Sequence, residues 1–282
     1  MYNLILTFEM KFESITSAQN PKVKILLELQ EKSKARRREG LFVVEGAREL
    51  LHCISTGYSV HSLFICTDIL SEEAMNEIQD ALSGKSFGCF SIPKHIYEKV
   101  AYRGGTEGVI AELRCKSHRL EDLLVKENPL VVILESVEKP GNLGAILRSA
   151  DASGVDAVIV CDPLTDMYNP NLIRSSIGGI FTVQTAAASS EDTINWLKDK
   201  NIKIYTAQLQ DSEWYYDTDM SKGTAIVMGT EATGLTDTWR KAADAHIKIP
   251  MLGRLDSLNV SVSAAILMYE AVRQRNASRA EH

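Results

Sequence analysis

Three short stretches hold residues whose types and spacing suit chemistry. In Pro140-Gly141-Asn142-Leu143-Gly144-Ala145-Ile146-Leu147-Arg148, a Pro-Gly turn is followed by an amide and, six residues later, a guanidinium. A guanidinium grips phosphate or steadies developing negative charge. The same string reads equally well as a helix capped by Asn142 with Arg148 on its surface. In Gly229-Thr230-Glu231-Ala232-Thr233-Gly234 two glycines flank a lone acid; glycine there permits positive φ or lets a ligand approach the backbone. The spacing is neither G-x-G-x-x-G nor the Walker pattern, so dinucleotide and P-loop chemistry is disfavoured. In the third stretch, Ile249 to Ala265, Pro250 ends an apolar run. A loop with Met251, Ser257 and Leu258 follows, and a helix opens near Asn259 with Ser261, Ser263, Ala264 and Ala265 on its first turns. Small residues allow close approach of a ligand or of a packed helix.

Each stretch follows a run that reads as a strand. Leu130–Leu134 is continuously apolar, as expected of a parallel strand covered on both faces. Similar runs recur at Ala157–Val160, Ile202–Tyr205, Ala225–Met228 and His246–Ile249, with helical patterns at Asn142–Ser153 and Asp192–Lys200 between them. This alternation predicts an α/β domain with a mostly parallel sheet, whose ligands lie at the carboxyl ends of strands. Upstream, Asn20-Pro21 opens a helix over Val23–Leu29, Leu41–Gly46 and Leu63–Cys66 read as strands, Ala47–Ser55 as a helix, and Ser71 caps a helix through about Leu82. The polar stretch after Leu113 reads as a junction. The layout is therefore residues 1–114, a linker at 115–129, and residues 130–282.

Composition bounds the rest. The 282 residues suffice for two cores, and no apolar run approaches the roughly 20 residues of a membrane span. Met1–Met10 lacks a basic lead and a cleavage site, so it is not read as a signal peptide; Met10 is an alternative start. Cys53, Cys66, Cys89, Cys115 and Cys161 form no C-x-x-C pair, which reads as reduced thiols in the cytoplasm. Six scattered histidines offer no metal-ligand spacing, so no metal is expected. A net charge of −6 argues mildly against nucleic acid, yet Lys32, Lys34, Arg36, Arg37 and Arg38 form an acid-free basic run. That run reads either as a solvated helix end or as a phosphate-binding patch.

Together the strings P-G-N-L-G-A-I-L-R, M-G-T-E-A-T-G-L and I-P-M-L-G-R-L-D-S-L-N-V-S-V-S-A-A resemble the three motifs of the SpoU (TrmH-like) branch of the SPOUT RNA methyltransferases. In order, spacing and strand-loop-helix context they agree over roughly residues 130–275. The first half, through S-A-Q-N-P-K-V-K, F-V-V-E-G-A-R-E-L and G-V-I-A, resembles the family's substrate-binding domain, a smaller α/β module like ribosomal RNA-binding proteins. The resemblance implies a trefoil-knotted C-terminal methyltransferase domain, although folded chains are almost never knotted. It implies S-adenosylmethionine as cofactor, bound at Gly229, Ile249 and Leu258 with Met251 and Ser257 beside them. It places catalysis on Arg148 with Asn142, and sets Glu231 and Asn259 to orient the loops and the target ribose. Lys34, Arg36, Arg37, Arg38 and Arg174 become the RNA-gripping cations. The implied reaction is 2′-O-ribose methylation of a structured RNA, 23S rRNA first and tRNA second, by a homodimer joined through the helix at Asn259–Gln274. Arg148 has two possible roles, because guanidinium groups hold their proton at neutral pH: a base assisted by a substrate phosphate, or a stabiliser of alkoxide charge. Thr230, Ala232-Thr233 and Lys139 depart from common family choices without removing a matched position.

Two other classes compete. An RNA-binding or assembly factor without catalysis would explain the basic run but has no need of Asn142, Arg148, Glu231 and Asn259 together. A nucleotide-dependent oxidoreductase lacks its glycine fingerprint.

Overall fold

The computed structural model describes residues 10–280 apart from 103, 105, 106, 138, 164, 165, 231, 232, 255 and 256. The Glu231 assignment and the question of a Met10 start therefore fall, wholly or in part, outside the described residues. The chain divides into two compact units: residues up to Lys116 together with Tyr168–Pro170, and Ser117–Met167 together with Asn171 onward.

In the first unit, β1 (Glu13–Ser14) precedes α1 (Pro21–Glu31), α2 (Ser33–Glu39) and β2 (Leu41–Glu45). Then come α3 (Ala47–Ser55), β3 (Val60–Ile65), α4 (Glu72–Leu82), β4 (Gly88–Ser91), α5 (Lys94–Val100) and β5 (Val109–Arg114). The helix starts follow local chemistry. Asn20 accepts from the Lys22 N–H ahead of Pro21, and Ser71 accepts from the Ala74 N–H. The strand order is β1-β4-β3-β5-β2, with β5 antiparallel to both neighbours. Its core gathers Leu26, Leu29, Val43, Phe64, Ile96 and Ile110.

The second unit holds β6 (Leu130–Glu135), α6 (Pro140–Ser153), β7 (Ala157–Cys161), α7 (Pro170–Ser176), α8 (Gly179–Thr182), β8 (Thr185–Ala188) and α9 (Ser190–Asp199). After these come β9 (Lys203–Ala207), β10 (Glu213–Trp214), β11 (Thr224–Met228), α10 (Asp237–Ala242), β12 (Ala245–Lys248) and α11 (Val260–Ala280). The sheet order is β10-β12-β9-β11-β6-β7-β8 and every pairing is parallel. All carboxyl ends therefore leave the same edge.

One expectation needs correction. The stretch expected as a linker is not free-standing from Ser117 onward: Leu120 and Leu123 are buried in the second unit's core beside Val131 and Trp239, and the Ala187 N–H donates to the His118 carbonyl at 2.8 Å. Of the two uses left open for the small residues of α11, a packed helix is the one Ala264 takes. Ala264, Leu267, Met268 and Ala271 are fully buried, and α11 packs on α6. Its outward face carries Val262 and Tyr269 instead.

Candidate active site

The three stretches lie at the carboxyl ends of β6, β11 and β12. Register sets Met228 against Leu134, so the first and second loops leave the sheet side by side. Glu135 closes β6 and is 3% exposed. Its carboxylate accepts from the Thr236 N–H at 2.9 Å and the Thr236 hydroxyl at 2.6 Å, strapping the exit of the second loop to the start of the first. Charge-assisted bonds of this kind are stronger than neutral ones. Sequence reasoning missed this pair, although a lone acid ending an apolar strand was a visible signal.

The second loop folds back on itself. Thr230 and Gly234 exchange backbone bonds at 3.3 and 3.1 Å, and the Thr230 hydroxyl accepts from the Thr233 N–H at 3.0 Å. A Cβ placed on Gly229 would lie 2.4 Å from the Gly234 carbonyl carbon. Only glycine permits that crease. The third loop carries Ile249 and Met251 partly buried, with Ser257 and Leu258 exposed at its far end.

Asn142 is not the helix cap expected of it. Pro140 takes the first helical position, Lys139 precedes it, and Asn142 lies inside the first turn, its N–H donating to the Lys139 carbonyl. Its side chain meets the third loop: the Asn259 Nδ2 donates to Asn142 Oδ1 at 3.2 Å. Asn259 in turn caps α11, its Oδ1 accepting from the Ser261 N–H at 2.9 Å and the Ser261 hydroxyl at 2.6 Å. One amide thus caps a helix and ties two loops.

Arg148 is exposed on α6, eight residues beyond Pro140, or about 12 Å along the axis at the helical rise. Beside it, α7 docks on the first turns of α6. A Cβ on Gly144 would lie 2.0 Å from Ser175 Oγ, and that hydroxyl donates to the Pro140 carbonyl at 3.1 Å. Arg174, exposed, immediately precedes Ser175.

In the basic run, Arg36 departs from expectation. It is 3% exposed, and its Nη1 donates to the Leu29 and Gln30 carbonyls at 2.5 and 3.1 Å, satisfying the end of α1. Arg38 is exposed and pairs with Glu39 and Glu28. Lys34 and Arg37 are exposed and form no ion pair among the described residues.

Among the described residues no group of three or more His, Cys, Asp and Glu could hold a metal, and no helix is long and apolar enough to cross a membrane. The five cysteines form no disulfide. Burial pushes the Cys161 thiol up to about 12, against a partly offsetting bond with Thr193.

Residues 129–269 match the SpoU rRNA methylase family, and residues 20–111 match the MRM3-like substrate binding domain. A crystal structure of an RNA 2′-O ribose methyltransferase is 35% identical, covers 94% of this chain and all of its own, and superposes with a TM-score of 0.79. The chain belongs to the SpoU rRNA methylase family. Another member, the 23S rRNA (guanosine(2553)-2′-O)-methyltransferase of Bacillus subtilis, is 29% identical over 91% of this chain and 98% of its own. The SpoU methyltransferase AviRb from Streptomyces viridochromogenes, solved with AdoMet, is 27% identical over 92% of this chain and 99% of its own, with a TM-score of 0.84. The α/β architecture, with one mixed and one parallel sheet, is that of these methyltransferases.

Proposed function

We propose that this chain transfers a methyl group from S-adenosylmethionine to a ribose 2′-hydroxyl of 23S rRNA; tRNA is the alternative target. The observation that carries the reading is the Asn259–Asn142 bond, which joins the third motif to the first across 117 positions of sequence. It is supported by the family membership and by relatives named for 23S rRNA 2′-O-methylation and solved with the cofactor.

The residues present fit the cofactor. Partly buried Ile249 and Met251 offer an apolar wall, and the crease at Gly229 keeps the second loop's backbone at the same sheet edge, one strand away. Leu258 and Ser257 close the far end. The cofactor supplies a sulfonium methyl; the ribose oxygen forms the new C–O bond as the C–S bond breaks, and the hydroxyl proton leaves to water. Arg148, on an exposed helix face, acts as a cation: it grips the substrate phosphate and steadies charge developing on the oxygen. A base assisted by the substrate phosphate is the second reading of Arg148. Asn142 and Asn259 hold the reacting end in place, and Glu231 keeps the orienting role that the family motif gives it. In the first unit, Lys34, Arg37 and Arg38 grip RNA, joined by Arg174 of the second; Arg36 is structural.

The finer fold reading is a trefoil knot. It is supported by the strand order, in which β11 enters between β6 and β9, and by the return of α11 onto α6. A homodimer joined through the Val262–Tyr269 face of α11 fits the same reading, as does a cytoplasmic location beside the ribosome. The deciding experiment is methylation of ribosomal and transfer RNA from an unmodified source, followed by mapping of the modified ribose. Radiolabel in a single 2′-O-methylated 23S nucleotide supports the proposal; labelled base, or no label in either RNA, overturns it.

A further inference from the structure

In the parallel sheet of the second unit, β9 lies between β12 and β11. Its pairing with β11 sets Val227 against Thr206, and its pairing with β12 sets Ile247 against Ala207. Gln208, the residue after β9, is therefore level with Gly229 on one side and with Lys248, just before Ile249, on the other. It stands at the carboxyl edge between the second and third loops. Its backbone N–H donates to the Ile247 carbonyl at 3.0 Å, which fixes its place there.

The side chain is fixed as well. Nε2 donates to the Gln210 carbonyl at 2.9 Å, and that bond decides which end of the amide is nitrogen. Oε1 is buried without a hydrogen-bond partner. A buried acceptor left unmade costs free energy that a ligand donor restores. A leucine or methionine would fill the same space without that cost, so the oxygen asks for a donor that arrives with a ligand.

We propose that Gln208 accepts a hydrogen bond from the exocyclic amine of the cofactor's adenine, and so sets the base specificity of the cofactor slot. The assignment rests on the reading that S-adenosylmethionine lies between the loops after β11 and β12. Adenine presents an N–H donor at its sixth position. A 6-oxo purine presents lone pairs there, which would face the lone pairs of Oε1. The interaction thus both selects adenine and rejects its deaminated relative.

Calorimetry on the full chain tests this with two ligands, S-adenosylhomocysteine and S-inosylhomocysteine, which differ at that amine. The wild type is expected to favour the adenosyl form by roughly tenfold or more. Gln208→Met should lose about tenfold in adenosyl affinity and bring the two ligands within roughly threefold of each other. Gln208→Glu keeps an oxygen acceptor but not the bond to Gln210, and should retain the adenosyl preference. If Gln208→Met keeps the wild-type ratio, the assignment is overturned and the slot stands. If Gln208→Glu loses the preference as fully as Gln208→Met, the side chain serves only to brace the loop, and the assignment is again overturned. If the wild type binds neither ligand, the slot itself falls and the assignment with it.

Discussion

Asn142 and Asn259 stand 117 positions apart and meet side chain to side chain. Both were singled out from the sequence; Asn259 opens its helix as expected, whereas Asn142 does not. Asn142 looked like a helix cap, and the cap is Lys139, because Pro140 is better suited to the first helical position. Asn259→Ala removes a true cap and should cost about 1 kcal/mol in urea unfolding. Its larger effect belongs to turnover: each of Asn142→Ala and Asn259→Ala should lower kcat by at least roughly tenfold, and the double variant should be little worse than either, since they act as a unit. Additive losses in a double-mutant cycle would separate them. For Arg148→Ala the expectation is a fall in kcat of about a hundredfold or more with cofactor affinity unchanged, as for loss of a charge-stabilising group. Near-normal methylation by that variant would remove Arg148 from the chemistry.

At the scale of elements, close approach explains what motif matching could not. Gly144 permits α7 to sit on α6, with Ser175 in the space a side chain would occupy. Gly144→Ala should therefore destabilise by about 1–3 kcal/mol, through displacement of α7 rather than through helix propensity, where alanine is the better residue. Unfolding midpoints show the sign: a stabilised variant would mean α7 yields freely. The basic helix α2 divides its charges by direction. Lys34→Glu with Arg37→Glu should weaken RNA binding and reduce the salt slope by about two, whereas Arg36→Ala should lower stability and leave that slope alone. The apolar strands β6, β7 and β11 were plain in the sequence because burial on both faces leaves no alternation to confuse. β8, written Thr-Ala-Ala-Ala, was not, since alanine carries little strand preference. Nor does sequence reveal which of several like charges points inward: Arg36 differs from Arg37 only by its angle on a short helix.

At the scale of the whole molecule, the first unit carries its own pH dependence. Glu112 lies buried in the middle of β5, and burial raises its carboxyl from 4.5 to about 7; a bond from Ser62 opposes the shift and Glu39 adds to it. The folded state thus holds a proton that the unfolded chain releases near 4.5. Stability is fully present below that point, falls as pH rises, and levels off above about 7, a loss on the order of a few kcal/mol. Glu112→Gln should flatten the profile of urea midpoints between about pH 5 and 8; an unchanged slope would assign it to other groups.

The assignment of Tyr168–Pro170 to the first unit has a consequence for how the protein can be cut. Tyr168 stacks on Phe42 with ring centroids 4.3 Å apart, and its hydroxyl accepts from the Lys116 N–H at 2.8 Å. The covalent path thus leaves the first unit at Lys116, re-enters it for three residues and leaves again. A single protease nick at that first crossing would put Phe42 and its stacking partner Tyr168 on different fragments. Residues 10–116 expressed alone would leave one face of Phe42 bare, to be filled by supplying the excised Tyr168 segment as a peptide.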